Sequence, residues 1–163
     1  MKKTTIFITR GAIIAALYVA LTGVSALFGL HNGVIQFRLS EILTILPVFF
    51  PEAILGVTLG CFLSNLITGC VFWDIVFGSI ATLIGALGAY LLRRLPKSLM
   101  FIATIPTILA NALIVPHVLI LAYGAPDAYY FLFITVGIGE VVTAGILGYV
   151  LYRILEKKKF ITK

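Results

Sequence analysis

The segment 34–42 brings four polar side chains together in an otherwise apolar neighbourhood. An amide, a guanidinium, a hydroxyl and a carboxylate come from Gln36, Arg38, Ser40 and Glu41. Ionisable groups in or beside a membrane are costly to keep there, so they are functional candidates by default. The segment is therefore expected to contact a polar ligand. A purely local role is the alternative, in which Glu41 favours a helix N-terminus and pairs with Arg38 three residues away.

Other polar side chains interrupt the apolar runs further along the chain. Glu140 lies about a dozen residues into the last run, roughly 18 Å from its outer end at 1.5 Å per residue. A carboxylate at that depth must be neutral, paired or bound to a ligand. Structural roles are the alternative for several others: an interfacial anchor for Trp73, a helix cap for Asp74, and a hydrogen-bonded His117. The complete set of candidate ligand contacts is Gln36, Phe37, Arg38, Glu41, Asn65, Trp73, Asp74, Asn111, His117, Tyr123 and Glu140.

The composition indicates what kind of scaffold must position these residues. Of the 163 residues 61% are hydrophobic and only 11% are charged, and the mean hydropathy is +1.17. A soluble domain would carry about a quarter charged residues. The net charge of +6 does not indicate nucleic-acid binding, because the basic residues lie at the ends of apolar runs. The sequence predicts an integral membrane protein, with residues 1–163 forming one domain.

Six apolar runs predict an all-α bundle of six transmembrane helices. Pro47 and Pro51 predict a bend between two antiparallel helices in place of one long span. With six spans, eleven of the twelve lysines and arginines lie on the side of both termini, and only Arg38 lies on the other. This asymmetry predicts that both termini are cytoplasmic. The predicted helices cover about 5–27, 39–50, 52–68, 75–92, 98–123 and 128–155.

Small residues recur every four positions on four of the predicted helices. Such stripes let helices approach closely in lipid. Since four helices carry one, internal packing is expected for at least three of them. The four stripes are Ala12, Ala16 and Ala20; Gly56 and Gly60; Ala81, Gly85 and Ala89; and Ala144 and Gly148.

No catalytic or cofactor motif is present in the sequence. H-E-x-x-H, G-x-S-x-G and phosphate-loop patterns are missing, and Cys61 and Cys70 are too isolated to suggest a metal site. An intramembrane enzyme built on Glu140, His117 and Asp74 is disfavoured, because no two of them have a recognised catalytic spacing on one helix. We therefore expect no enzyme, no cofactor and no metal. A ligand-capture subunit that depends on partners for energy is the more consistent interpretation.

Three segments resemble the QueT-type queuosine-precursor transporters, which are S-components of energy-coupling factor (ECF) transporters. They are Gln36-Phe37-Arg38-Leu39-Ser40-Glu41, Leu46-Pro47, and the region of Gly60 and Asn65. The resemblance implies a six-helix subunit of a prokaryotic plasma membrane that captures a 7-deazaguanine precursor. It also implies a transmembrane coupling subunit and two cytoplasmic ATPases as partners, since ECF transporters are ABC-type importers. The Ala12, Ala16 and Ala20 stripe resembles the docking motif of S-components.

The candidate residues suit such a ligand, for example 7-aminomethyl-7-deazaguanine. Its guanine-type edge offers donors that Glu140 or Asp74 could accept, and Asn65 or Asn111 could match mixed edges. Glu41, expected at the entrance, could bind the ammonium group. Three aromatic side chains could stack on the ring: Trp73, Phe37 and Tyr123. An S-component for another vitamin or nucleobase-like micronutrient, and a purely structural accessory subunit, are the alternatives.

Overall fold

The structure is a computed structural model that describes residues 3–29 and 37–158. Most of these residues form helices, as the apolar pattern predicts. The described residues form six α-helices, and a ten-residue 3-10 helix, which we call the core 3-10 helix, lies between the first and the second. In chain order the elements are α1 (Lys3–Leu27), the core 3-10 helix (Leu39–Val48), α2 (Glu52–Ile67), α3 (Phe72–Leu91), α4 (Ile105–Tyr123), α5 (Tyr129–Glu140) and α6 (Gly148–Lys157).

Three further helical segments lengthen α3 and α4 and join α5 to α6. Two 3-10 segments, Leu92–Arg94 and Lys97–Thr104, extend α3 and precede α4, and a π-helix, Val141–Leu147, joins α5 to α6. Four stretches are consequently long and apolar enough to cross a membrane, which takes about 20 residues. They are Lys3–Leu27, Phe72–Arg94, Lys97–Tyr123 and Tyr129–Lys157. Their positions agree with the first, fourth, fifth and sixth predicted helices.

The core 3-10 helix and α2 form a hairpin alongside α1. At one end the Thr22 hydroxyl donates to Ser40 Oγ at 2.9 Å. At the other end Arg10 Nη1 lies 3.3 Å from Glu52 Oε1. A 3-10 helix rises about 2.0 Å per residue, so ten residues span about 20 Å, which is the length of some thirteen α-helical residues. The chain then reverses after Pro47, as the prolines predict.

This hairpin places its first arm in the interior of the bundle. The core 3-10 helix contacts α1, α2, α3, α6 and the π-helix. Seven of its ten residues are buried, among them Glu41 and the run 43–47. A short apolar helix that is enclosed by other helices does not have to match the thickness of the bilayer by itself. Its polar side chains are consequently held inside the protein.

Three of the four small-residue stripes pack internally, which confirms the expectation. A Cβ atom at Gly60 would lie 2.6 Å from Tyr18 Cβ, and one at Gly85 would lie 2.6 Å from Thr107 Oγ1. Ala144 is 1% exposed. The stripe of α1 differs, because Ala12, Ala16 and Ala20 are all exposed. Two residues advance a helix by roughly half a turn, so this stripe faces away from the buried positions 14, 18 and 22.

The two ends of the bundle differ in character. One end, which we call the basic end, carries the ion pairs of Arg10 with Glu52 and of Lys97 with Glu156, the latter at 2.7 Å. Arg38, Asp74 and Tyr123 lie at the opposite end. The ion pair of Arg38 with Asp74 and the pairs of the basic end therefore lie at opposite ends of the bundle.

Candidate functional site

A group of polar side chains, which we call the polar cluster, lies inside the end of the bundle opposite the basic end. It has two parts, one around Asp74 and one around Glu41 and Glu140. Its members come from every α-helix except α6 and from the segment that begins the core 3-10 helix. They are Tyr18, Arg38, Glu41, Asn65, Asp74, Asn111, Tyr123 and Glu140.

Asp74 joins three chain segments at the outer part of the cluster. It lies in the first turn of α3 and is 7% exposed. Tyr123, the last residue of α4, donates its hydroxyl to Asp74 Oδ2 at 3.0 Å. Arg38 Nη2 lies 3.9 Å from the same oxygen, and Asn65 Nδ2 donates to the Asp74 backbone carbonyl at 3.3 Å. Asp74 Oδ2 is therefore already engaged by protein groups.

Glu41 lies deeper, in the first turn of the core 3-10 helix. It is 1% exposed, and the Tyr18 hydroxyl of α1 donates to its Oε1 atom. Its second oxygen, Oε2, has no hydrogen-bond partner within the described ranges. An unpaired buried acceptor is unfavourable by about 1–3 kcal/mol. This oxygen is therefore available to a donor other than the described residues.

Glu140 is a second buried carboxyl group with one oxygen that has no hydrogen-bond partner among the described residues. It ends α5, is 5% exposed, and its Oε2 atom also has no partner in the described part of the chain. The Asn111 amide of α4 lies beside both carboxyl groups and donates to the Thr107 carbonyl at 3.3 Å. The π-helix begins at the next residue, and π-helical turns are frequent at functional sites.

Two of the local roles considered for these residues do not apply. Arg38 pairs with Asp74 and not with Glu41, because Arg38 has an extended backbone while Glu41 is directed to Tyr18 on α1. Asp74 is not a helix cap, since α3 begins after Val71 without a side-chain cap. The expected position of Glu41 at the entrance is also wrong. Glu41 is buried because other helices surround the core 3-10 helix.

Two predicted contact residues lie outside the polar cluster. Trp73 is 56% exposed and stacks on Phe77, with ring centroids 5.9 Å apart. His117 is exposed, its Nδ1 lies 2.8 Å from the Leu113 carbonyl, and its ring lies 4.6 Å from that of Tyr129. Trp73 and His117 both line an apolar groove of about 630 Å³ between α3 and α4. Their surroundings fit the structural roles considered for them.

The remaining two predicted residues precede Arg38. Phe37 is half-buried, and Gln36 lies outside the described residues.

Cys61 and Cys70 are free thiols, and Cys61 lies beside the cluster, with its Sγ 3.7 Å from Asn65 Nδ2.

Sequence reasoning missed the polar face of α1 and one glycine. Tyr18, Thr22 and Ser25 are all buried, and their i, i+4, i+7 spacing puts them on one side of the helix. That spacing can be read from the sequence, and it indicates a polar face on an otherwise apolar helix. A Cβ atom at Gly78 would lie 3.0 Å from Asn65 Nδ2, so glycine leaves room for the cluster. No local pattern identifies that role.

Comparison with known proteins gives the family. A family model described as QueT transporter matches residues 8–157, which include every member of the polar cluster. The chain belongs to the QueT transporter family. The resemblance of the three sequence segments to QueT-type transporters is thereby confirmed, and so is the expectation of a membrane-spanning transporter with queuosine-precursor relatives.

One relative in the QueT family is a Queuosine precursor transporter QueT from Lactococcus lactis subsp. cremoris (strain MG1363). The two chains are 40% identical over 96 residues, which are 58% of this chain and 56% of the relative. The match thus covers little more than half of the length of that relative. No solved structure matches the chain.

The chemistry available to this QueT-family protein is recognition of a polar small molecule. Its buried carboxyl groups can accept hydrogen bonds, and its amides can match mixed donor and acceptor edges. The residues of the enzyme hypothesis are not assembled, since His117 bonds to its own helix while Asp74 and Glu140 lie in the cluster. A transporter family is consistent with binding without catalysis.

Proposed function

We propose that this protein is the substrate-binding S-component of an ECF-type ABC importer in a prokaryotic plasma membrane. Its ligand is a queuosine precursor, 7-aminomethyl-7-deazaguanine or a close relative. The ligand enters from the outer face, and a transmembrane coupling subunit with two cytoplasmic ATPases supplies the energy for uptake. Membership of the QueT family and the name of the Lactococcus relative support the class of ligand.

One observation carries the proposal: two buried carboxyl groups in an apolar bundle each keep an oxygen without a partner. Glu41 Oε2 and Glu140 Oε2 have this condition among the residues described. A guanine-type edge presents two neighbouring N–H donors, which suit the two oxygens of Glu140. The ammonium group of the aminomethyl form suits Glu41. Asp74 is the weaker candidate, because Tyr123 and Arg38 already engage its carboxylate.

The remaining contacts follow from the surroundings of these carboxyl groups. Asn111 lies beside both and can complete the edge of the base. Tyr123, a member of the cluster, and the half-buried Phe37, which directly precedes Arg38, are better stacking partners than Trp73, whose ring packs on Phe77. His117 lies in the apolar groove and is not needed by this arrangement.

The proposed topology has six membrane crossings with both termini in the cytoplasm. The hairpin supports the count, because the core 3-10 helix and α2 together run the length of α1 and return. The basic end supports the orientation, since basic residues favour the cytoplasmic side. In this topology the polar cluster opens toward the outside, where the ligand is.

The partner-docking surface is proposed to be the exposed alanine stripe of α1. Ala12, Ala16 and Ala20 are exposed, whereas the other three stripes are packed inside the protein. Only 17% of the membrane-spanning part of α1 is buried, against 44% for the other long spans. A helix with so much free surface and such small residues can pack closely on a helix of another subunit.

Calorimetry on the purified subunit tests the function. With 7-aminomethyl-7-deazaguanine and no ATP, we expect saturable binding, because ligand capture requires only the polar cluster. Riboflavin, thiamine and biotin serve as control ligands and should give no heat. Heat with one of these vitamins and none with the deazaguanine would replace the proposal with an S-component of different specificity.

A further inference from the structure

Glu41 and Glu140 reach the polar cluster from two different elements. Glu41 comes from the core 3-10 helix, and Glu140 comes from the end of α5, beside the π-helix. The Asn111 amide lies beside both, and the two carboxyl groups lie within electrostatic range of each other. Each Oε2 atom lacks a hydrogen-bond partner in the described residues. A buried oxygen of this kind is satisfied by a proton or by a ligand donor.

Among residues 3–29 and 37–158, the charged and titratable groups that face this pair include no cation that is free of a carboxylate partner. From α1, Tyr18 donates a neutral hydroxyl to the pair. The Cys61 thiol of α2 and the uncharged Asn111 amide of α4 also lie near the two carboxyl groups. Arg38 is the cation within range, but the Asp74 carboxylate of α3 already balances its charge at 3.9 Å. Two ionised glutamates would therefore give this buried site a net charge of about −2.

Two uncompensated buried charges are much more costly than one. If both carboxyl groups were protonated, neither could bind a cation strongly. One proton held between them leaves the site with a net charge of about −1, which is the charge that suits a monocation. Two buried carboxyl groups within electrostatic range titrate as a pair, and such a pair can hold one proton on either member.

We propose that Glu41 and Glu140 share one proton in the ligand-free protein and that a cationic ligand displaces it. One proton is then released to solution for every ligand molecule bound. The inference rests on the proposed function, because it concerns how the same site binds its ligand. It selects the aminomethyl form, which carries an ammonium group, over uncharged 7-deazaguanines.

The exchange balances in charge and in bonds. The carboxyl O–H bond breaks, and the proton leaves for a base in the buffer. The ligand brings one positive charge as the proton takes one away, so the net charge of the site stays at about −1. Both glutamates are then ionised: Glu140 accepts the two N–H donors of the guanine-type edge, and Glu41 accepts from the ammonium group and from Tyr18.

Proton release can be measured by calorimetry of the purified subunit with 7-aminomethyl-7-deazaguanine. Titrations at one pH in phosphate and in Tris, whose ionisation enthalpies differ, give the number of protons released. We expect about one, and an affinity that rises with pH, because a proton that is released on binding is held less firmly by the free protein as the pH rises. The ammonium group of the ligand does not contribute to this pH dependence, because an alkylammonium has a pKa of about 10.

Two controls isolate the exchange from binding itself. Uncharged 7-ethyl-7-deazaguanine has nearly the same shape as the ligand and should bind more weakly, without releasing a proton. In Glu140→Gln the shared proton is lost, so the pH dependence should vanish while weaker binding remains. Binding of the aminomethyl ligand without proton release would overturn the exchange and leave the proposed function intact. Failure of that ligand to bind at any pH would overturn the proposed function.

Discussion

Glu140→Gln changes one buried carboxyl group and very little else. Glutamine keeps the shape of the side chain but removes its charge and turns one acceptor into a donor. Glu140 is 5% exposed, and its Oε2 atom has no partner in the described chain, so the substitution breaks no bond that this oxygen makes. Hydrogen bonds to a charged group contribute about 1.5–3 kcal/mol. We therefore expect ligand affinity to fall roughly 10- to 150-fold while the fold is retained.

The assay is calorimetry of the purified variant with 7-aminomethyl-7-deazaguanine, together with a thermal melt in the same detergent. Glu52→Gln is a matched control, since Glu52 pairs with the exposed Arg10 at the basic end and lies far from the cluster. The control should bind normally. Normal affinity in Glu140→Gln would refute the reasoning and transfer the role to Asp74. Joint loss of affinity and of folded protein would assign Glu140 a structural role.

The other predictions concern the exposed stripe and the packing of the cluster. Ala16→Leu should leave ligand binding intact but prevent co-purification with the coupling subunit. Ala53→Leu, at a position with no exposure, should cost about 1–3 kcal/mol of stability by overpacking, measured by thermal melting. Asp74→Asn should destabilise the fold by about 3 kcal/mol by leaving a guanidinium unpaired, and Tyr123→Phe by about 1 kcal/mol, in denaturant titrations. Gly78→Ala should weaken binding roughly tenfold in calorimetry.

Each of these predictions can be contradicted separately. If Ala16→Leu loses both folded protein and ligand binding, the alanine stripe is needed for the packing of the subunit itself and is not a docking face. If Tyr123→Phe is as destabilising as Asp74→Asn, the hydroxyl contributes as much as the ion pair and the expected difference is wrong. Gly23→Ala is the control for Gly78→Ala, because no atom lies within 4 Å of the added Cβ. If Gly78→Ala and Gly23→Ala bind the ligand equally well, the added Cβ atom at position 78 does not disturb the polar cluster.

The helical class and the course of the chain follow from local features of the sequence. Long apolar runs leave the backbone only helical ways to satisfy its hydrogen bonds in lipid, so their positions predict the spans. Pro47 and Pro51 predict the hairpin, since a proline lacks the N–H that the helix needs and favours a bend or an end of the helix. The 3-10 and π segments were not predictable in this way. A run that is apolar on every side carries no periodicity that distinguishes one helix type from another.

The site could be predicted only in part, because its geometry depends on long-range packing. The rarity of polar groups in apolar runs is enough to single out Glu41, Asp74 and Glu140. Which residues pair is decided by the packing of helices that are distant in sequence. Arg38 accordingly pairs with a residue 36 positions away, although a glutamate lies three positions from it. Tyr18 was missed for the same reason, since its partner lies on another element.

The most direct test of the central claim is an experimental structure of the purified protein with 7-aminomethyl-7-deazaguanine bound. The account predicts the base inside the polar cluster, with its donor edge on Glu140 and its ammonium group on Glu41, and with Asp74 still paired to Arg38. A ligand seated in the apolar groove beside Trp73 and His117, with both glutamates out of contact, would contradict it.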